Sequence, residues 1–247
     1  MKAIKLIPIA IGTAMITIAG MTTVKAQTAD EIIQKHIDAI GGTANWDKIK
    51  SMKKVGSMSM QGMEIGFSLT VVNDKGMRTD ISAMGMNGYV ILTPKEGWMY
   101  MPFQPGMDKV TPMPADQIKA AQSQLNVKAD QLLDKSSITK SEYVGKDTVN
   151  NIACLKVKIT DKDGNEQTAF FDASTYYIVH AERKVKVQDE DQDVAINYSN
   201  FQKQPEGIVI PMTVTSPMGQ GDITFKSVEI NKSVDDSIFK PGAEDKK

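Results

Sequence analysis

The stretch SMKKVGSMSMQGMEIGFSLTVV, residues 51–72, decides the fold because its apolar residues recur at every second position. Met58 and Met60 alternate with polar residues up to Gly62. Beyond this glycine the alternation shifts by one residue, and the apolar positions become Met63, Ile65, Phe67, Leu69 and Val71. A period of two is typical of a half-buried β-strand, so the stretch predicts two strands joined by a tight turn at Gln61-Gly62.

Strand-like segments of the same character continue on both sides of one interruption. They are separated by short turn clusters such as NDKG, PKEG and QPEG, and short links join antiparallel neighbours. From Pro112 to Asp134 the chain is rich in Ala, Gln, Lys and Leu, which favours one or two inserted helices. The fold class is therefore mainly β with helices (α+β). A single antiparallel sheet of roughly ten strands is expected, and a sheet of this size is expected to curl into a barrel or half-barrel covered by helices.

The segment TADEIIQKHIDAIGG predicts an N-terminal helix. Thr28 and Glu31 have the spacing of a capping box, and Gly41 suits the left-handed position that ends a helix. An apolar stripe is formed by Ile33, Ile37 and Ile40. In the next turn, Trp46 and Ile49 are expected to face inward.

The first 26 residues resemble a secretory signal peptide. Lys2 and Lys5 precede an apolar run, and cleavage is expected after Ala26. The alternative is a membrane anchor, but the run is interrupted by polar residues and is short for a span of ~20 residues. No cysteine lies near the cleavage point, so lipidation is not expected. The predicted product is an exported domain of residues 27–241 with a disordered tail, 242–247.

Composition excludes some partners and bonds. The full chain has a net charge of −1, and without the signal it has 26 basic and 30 acidic residues. This balance gives no indication of nucleic-acid binding. Cys154 is the only cysteine, so no internal disulfide is possible, and a buried structural thiol is the favoured interpretation.

Motifs for catalysis or metal binding are not found. His36 and His180 have no nearby ligands at metal spacing and are expected to be ordinary surface or edge histidines. DKDGNE, residues 161–166, has its glycine at the wrong position for a calcium loop and predicts a hairpin turn. DEDQD, residues 189–193, predicts a solvated turn. The sequence therefore predicts a protein without a catalytic site, a metal or another cofactor.

Several motifs resemble periplasmic lipoprotein carriers of the LolA type, a superfamily that includes LolB receptors and RseB-like sensors. GWMYMPFQPG, which follows an Asn-Gly turn, matches their pattern at Trp98, Tyr100, Pro102 and Phe103. VDDSIFKPG resembles the Phe-x-x-Pro closure of the superfamily, one residue tighter, at Phe239 and Pro241. AFFDASTYYIVHAE resembles its hairpin around Asp172.

This resemblance implies an unclosed barrel of about eleven antiparallel strands whose cavity receives acyl chains. One position departs from the pattern. The carriers usually have an Arg followed by Pro before the third strand, where this chain has Asp74-Lys75-Gly76, and the nearest arginine is Arg78. In the carriers that arginine helps to hold the lid and to hand over cargo, so lipoprotein handover is left open.

Methionines are concentrated in one half of the chain. Of 13 methionines after residue 26, 11 lie between Met52 and Met113. Methionine adapts to irregular apolar shapes, so the concentration indicates either a gap-filled core or a lipid-facing lining. The lining candidates are Met58, Met60, Met63, Ile65, Phe67, Leu69, Trp98 and Tyr100.

Two functions fit these observations. The first is a carrier for a lipid or a lipidated polypeptide, which contacts the membrane only transiently. The alternative is a sensor module of the RseB type, whose cavity is small or filled and which binds an envelope protein. Neither function requires a catalytic group.

Overall fold

The computed structural model describes residues 27–60, 62–128, 132–187, 190–216 and 221–242. The predicted signal peptide, residues 1–26, lies outside the described residues, as do residues 243–247 of the predicted tail.

The described residues form one sheet of 13 strands, all paired antiparallel to their neighbours. The first six are β1 (Ser51–Met60), β2 (Met63–Val72), β3 (Gly76–Ala83), β4 (Met86–Leu92), β5 (Gly97–Tyr100) and β6 (Thr111–Pro112). The others are β7 (Ile138–Val149), β8 (Ile152–Asp161), β9 (Glu166–Asp172), β10 (Ile178–Val187), β11 (Glu190–Lys203), β12 (Val209–Thr215) and β13 (Asp222–Ile230).

The strand order is β6-β5-β4-β3-β2-β1-β13-β12-β11-β10-β9-β8-β7. The two halves of the chain therefore meet at the centre, where β1 pairs with β13. Within the described ranges, β6 and β7 pair on one side only, so the sheet is not closed. The unclosed antiparallel barrel predicted from the sequence is confirmed. The strand number is higher than predicted, partly because β6 has only two residues, too few for a recognisable period.

The predicted β1–β2 hairpin is confirmed. Met58 lies opposite Ile65, and Met60 lies opposite Met63. The two apolar stripes therefore lie on one face, since residues directly opposite in an antiparallel pair share a face. Gly62 supplies the positive φ of +81° that the turn needs.

Helix α1 (Ala29–Ala39) begins with the predicted capping box. The Glu31 amide donates to Thr28 Oγ1 at 3.2 Å, and the Thr28 amide donates to Glu31 Oε2 at 3.0 Å. A second short helix, α2 (Thr43–Trp46), follows. Trp46 is buried and donates its ring N–H to the Ile40 carbonyl at 3.0 Å, which ties the two helices together. Ile49 is buried, as predicted.

The inserted segment is less helical than predicted. It contains α3 (Ala115–Ala120) and two 3₁₀ turns, Gln122–Leu125 and Lys135–Ser137, while residues 129–131 lie outside the described ranges. Helix α3 has no side-chain cap and no buried residue, so neither capping nor packing extends it. Leu125 and Leu133 of this segment are buried and anchor it to the sheet.

Two layers of apolar contacts fix the helices to one face of the sheet, here called the helix face. Helix α1 packs on residues of β1, β8, β9 and β12 in the main core. Leu125 packs with Val71, Met77 and Leu92 in a second cluster. Met52 of the main core lies opposite Val71, so both clusters lie on the same face. The opposite side is called the outer face.

The predicted turn at residues 189–193 is wrong in part. Strand β10 continues to Val187 and β11 begins at Glu190, so most of the acidic segment belongs to a strand. Lys184 lies directly opposite Asp193. Opposite charges on facing positions favour pairing of the two strands at this point.

Candidate functional site

An apolar band crosses the helix face over five neighbouring strands. In register it contains Tyr198, Val214, Ile223, Met58 and Ile65. All five are only half-buried, so no helix or loop in the described ranges fully covers them. At the usual strand spacing the band is roughly 19 Å wide. A continuous, half-exposed apolar band is an unusual feature of a sheet face, and it could accept an extended apolar chain.

The band ends in a groove between α1 and strands β9 to β12. His36 of helix α1 and Ile40, the residue that caps the helix, contribute to its wall. The strands contribute Gln167, Ala169, Ile178, Ala181, Arg183, Ile196, Tyr198, Phe201, Val209 and Pro211. Its cavity volume is about 70 Å³. This volume is below the ~300 Å³ usual for a ligand pocket, so a longer ligand must also lie along the band.

Two alanines create the groove. Ala169 of β9 lies directly opposite Ala181 of β10. On the strands to either side, the residues in register with this pair are larger. Ala169 lies opposite Val157 of β8, and Ala181 lies opposite Ile196 of β11. The floor is therefore lowest where the two small side chains meet. Alanine is depleted in strands, which makes a facing pair a detectable signal once the register is known.

His36 joins helix α1 to the wall of the groove. Its Nδ1–H donates to the Tyr176 carbonyl at 2.9 Å, and its ring meets Phe171 edge-on at 5.4 Å. The prediction of a surface histidine is wrong, because these contacts leave it only 3% exposed. The Tyr176 hydroxyl accepts from Gln27 and Lys35, and these hydrogen bonds lower its pKa.

The predicted lining residues of the first hairpin lie on the helix face. Met58 and Ile65 belong to the band, and Phe67 meets Phe225 edge-on at 5.7 Å. Leu69 is packed against the inserted segment. Met63 is 47% exposed at the tip of the hairpin. The side chain of Met60 lies outside the described residues.

Trp98 and Tyr100 lie on the outer face. Trp98 is opposite Ile91, and Tyr100 is opposite Tyr89, in a cluster that Phe239 closes. Ile91 lies opposite Arg78 of β3, and Tyr89 lies opposite Asp80. Both β3 residues face away from the helices, so Trp98 and Tyr100 do not share a face with the band. The structure therefore does not bring these two aromatics together with the methionines.

Arg78 has a role on that outer face. Its Nη1 donates to the Ile238 carbonyl at 3.0 Å, and its guanidinium lies 4.7 Å from the centre of the Tyr89 ring. Its Nε donates to Asp80 Oδ1 at 2.7 Å. In this chain the arginine closest to the predicted turn thus holds the C-terminal 3₁₀ turn (Asp236–Phe239) against the sheet.

His180 and Cys154 also lie on the outer face, near Phe170. His180 is buried, contrary to the prediction, because Asn197 Oδ1 lies 2.7 Å from its Nδ1 and Phe170 covers its ring. Cys154 is buried as predicted, and burial raises the pKa of its thiol. The two histidines lie on opposite faces, so they cannot contribute to one site.

Within the ranges that the structure describes, no three His, Cys, Asp or Glu side chains converge at a spacing suited to a metal ion. Among those same residues, no helix has the length and hydropathy needed to cross a membrane.

No protein-family model matches the chain, and no curated protein matches it in sequence. Solved structures do match. A DUF1329 family protein from Desulfovibrio piger superimposes with a TM-score of 0.55 at 14% identity, covering 86% of this chain and 97% of that one.

Two further structures are similar. One is a putative outer membrane lipoprotein-sorting protein domain from Vibrio parahaemolyticus, with a TM-score of 0.51, 11% identity, and 85% and 94% of the two chains covered. The other is a LolA superfamily protein from Nitrosomonas europaea, with a TM-score of 0.50, 11% identity, and 87% and 98% covered. The chain therefore shares the fold of these three structures, at identities of 11% to 14%, and the resemblance expected from the sequence is confirmed at the level of the fold.

Proposed function

We propose that this protein is a periplasmic carrier that binds the acyl chain of a lipid or a lipidated polypeptide on its helix face. The observation that carries the proposal is the continuity of the apolar band with the groove under α1, through Tyr198. Residues 27–241 form the carrier domain, and residues 1–26 are the signal that exports it.

Binding requires no catalytic group. Each methylene removed from water contributes ~0.8 kcal/mol, so an alkyl chain lying along the band is held by area alone. Half-buried methionine and isoleucine side chains suit this role, since methionine adapts to ligands of different shape. The likeness to a lipoprotein-sorting domain supports the proposal at the level of the fold.

Transient contact with a membrane is part of the proposal. Three methionines, Met63, Met84 and Met86, are exposed at the adjacent tips of the β1–β2 and β3–β4 hairpins. Met84 is the most exposed of them, at 65%. An apolar tip on this scale favours a brief encounter with a lipid surface, because it is too small for stable anchoring.

Filling the groove tests the proposal. Ala181→Leu places a larger side chain over the alanine pair, and Ala153→Leu makes the same change at an exposed position of β8. Protein from the periplasm would be analysed by native mass spectrometry for bound acyl species, then stripped and titrated with a fluorescent fatty acid. We expect the wild type and Ala153→Leu to bind, and Ala181→Leu to bind about tenfold more weakly, as the loss of about two methylene contacts implies.

Absence of both co-purified acyl species and probe binding in the wild type would contradict the carrier function. A stable envelope protein recovered with the lipid-free chain would instead favour the sensor alternative.

A further inference from the structure

We infer that the groove binds a single alkyl chain with one anionic head group, and that Arg183 holds the head. This inference rests on the proposed carrier function and specifies the ligand of the same site. The juxtaposition that carries it is a cationic side chain at one end of an otherwise mostly apolar groove.

Arg183 lies on the helix face of β10. It is two residues beyond Ala181 along the strand, so the two side chains point to the same side. Its register partners are Gln167 on β9 and Val194 on β11, neither of which carries a charge. Gln167 also lines the groove, and its amide can donate a hydrogen bond to the same head group.

The acidic residues nearest in register lie on the other face of the sheet from Arg183. Glu182 lies on the outer face, where its Oε1 is 3.3 Å from His180 Nε2. Asp193 lies opposite Lys184, also on the outer face. Among the described side chains, none forms an ion pair with Arg183, whereas Lys158 on β8 is paired with Glu166 at 2.8 Å. The groove thus has a positive charge that no described residue neutralises.

The shape of the groove gives the ligand its direction. The alanine pair is about 7 Å from Arg183 along the strand, at the usual rise per residue. Beyond the alanines the walls are apolar, with Ile178, Ile40 and Val209. A head group at Arg183 therefore places its alkyl chain over the alanines and toward these residues. The cavity volume of about 70 Å³ is small, which favours one chain over two or three.

A guanidinium recognises carboxylate and phosphate oxygens with two parallel hydrogen bonds. Both chemistries fit the observation, and matched ligands distinguish them. Isothermal titration of the stripped, full-length mature protein would compare dodecanoate, dodecyl phosphate and dodecyltrimethylammonium below their micelle concentrations. We expect at least one of the two anions to bind about tenfold more tightly than the cation, and the tighter anion identifies the head group.

Three variants complete the test. Arg183→Gln should weaken binding of the preferred anion by about fivefold to tenfold without weakening binding of the cation. Arg183→Lys should give an intermediate affinity, because it retains the charge but not the planar fork. Lys184→Gln removes the same charge at the adjacent residue on the outer face and should change nothing. Arg183 is exposed, so these variants are expected to fold, and circular dichroism would check this.

The outcomes distinguish the role of Arg183 from the carrier function. If all three ligands bind and Arg183→Gln changes none of their affinities, the role of Arg183 is wrong and the carrier function stands. If the wild type binds none of them, and no fluorescent fatty acid either, the carrier function itself is wrong.

Discussion

Phe239 packs directly on Gly76. A Cβ added to this glycine would lie 2.6 Å from Phe239 Cδ1, closer than any real contact of that kind. Gly76 begins β3 and Phe239 ends the C-terminal 3₁₀ turn, so the two residues join the chain's end to the first half of the sheet. The missing side chain at position 76 is therefore what lets the turn close the outer face.

Gly76→Ala is expected to destabilise the protein by about 1–3 kcal/mol, because the added methyl group must displace a buried ring. Gly66→Ala is the matched control, since its Cβ would lie 3.8 Å from Ser82 Cβ, an ordinary contact. Urea unfolding of the two variants measures the difference. Equal stability would show that Phe239 does not occupy this position.

Two cationic side chains connect this part of the sheet to the C-terminal turn, Arg78 of β3 and Lys75 of the turn before it. They differ in how exposed they are. The Arg78 side chain is 22% exposed, whereas Lys75 and its partner Asp236 are 56% and 63% exposed. Arg78→Ala should cost about 1–3 kcal/mol through its charged hydrogen bond to Ile238 O and its contact with Tyr89.

Lys75→Ala should cost less than about 1 kcal/mol, because exposed ion pairs contribute little. Proteolysis of the C-terminal segment under native conditions provides the measurement. Faster cleavage in Arg78→Ala than in Lys75→Ala is expected, and the reverse order would contradict the assignment of Arg78 as the main link.

The parts of the fold that sequence analysis predicted are those set by local rules. Helix α1 is determined by a capping box and an apolar stripe within 14 residues, 28–41. The β1–β2 hairpin is determined by alternation and by Gly62. In both cases the interacting residues are close in sequence, so the local pattern is enough to predict the element.

The groove could not be predicted because it depends on register between strands. A bulge between Ile178 and His180 shifts the alternation of β10, so that Ile178 and Ala181 both face the helices. Simple alternation from Ile178 would have assigned Ala181 and Arg183 to the outer face. For Trp98 and Tyr100, alternation showed that the two side chains share a face. It did not show whether that is the helix face or the outer face.

Asp172 predicts a dependence of stability on pH. Burial by itself would raise the pKa of this carboxyl, but hydrogen bonds from Ser174 and Thr175 outweigh burial and lower it below the ordinary 3.8. The Ser174 amide and hydroxyl each lie 2.7 Å from Asp172 Oδ1. A lowered folded-state pKa means that the ionised form stabilises the turn before β10.

This stabilisation is complete above the ordinary pKa and is lost as the pH falls through the lowered one. Asp172→Asn should therefore cost about 1–2 kcal/mol near pH 7 and less near pH 2. Urea unfolding at both pH values measures the difference, with the exposed carboxyl of Asp222 changed to Asn as control. A cost that does not change with pH would contradict the hydrogen-bonded carboxylate.

Cys154 predicts an unreactive thiol. It is 1% exposed, and burial, with the charges of Asp172 and Asp147 adding to it, raises the pKa of the thiol. Because the thiolate is the reacting form, alkylation by iodoacetamide near pH 8 should be slow in the folded protein and fast in urea. Mass spectrometry of timed samples measures both rates. Rapid labelling of the folded protein would show that this part of the outer face opens.

Phe67 and Trp98 allow binding and stability to be separated. Both are half-buried aromatics that the sequence assigned to one lining, but Phe67 lies on the helix face next to the band and Trp98 lies in the outer cluster. Phe67→Ala should weaken binding of a fluorescent fatty acid several-fold, because it removes apolar area of roughly two to three methylenes from the ligand face.

Trp98→Ala should leave that affinity unchanged and lower stability by about 2–3 kcal/mol, because it opens a space beside Ile91 and Phe239. Probe titration and urea unfolding of both variants make the comparison, and a loss of binding in Trp98→Ala at unchanged stability would place the ligand on the outer face instead.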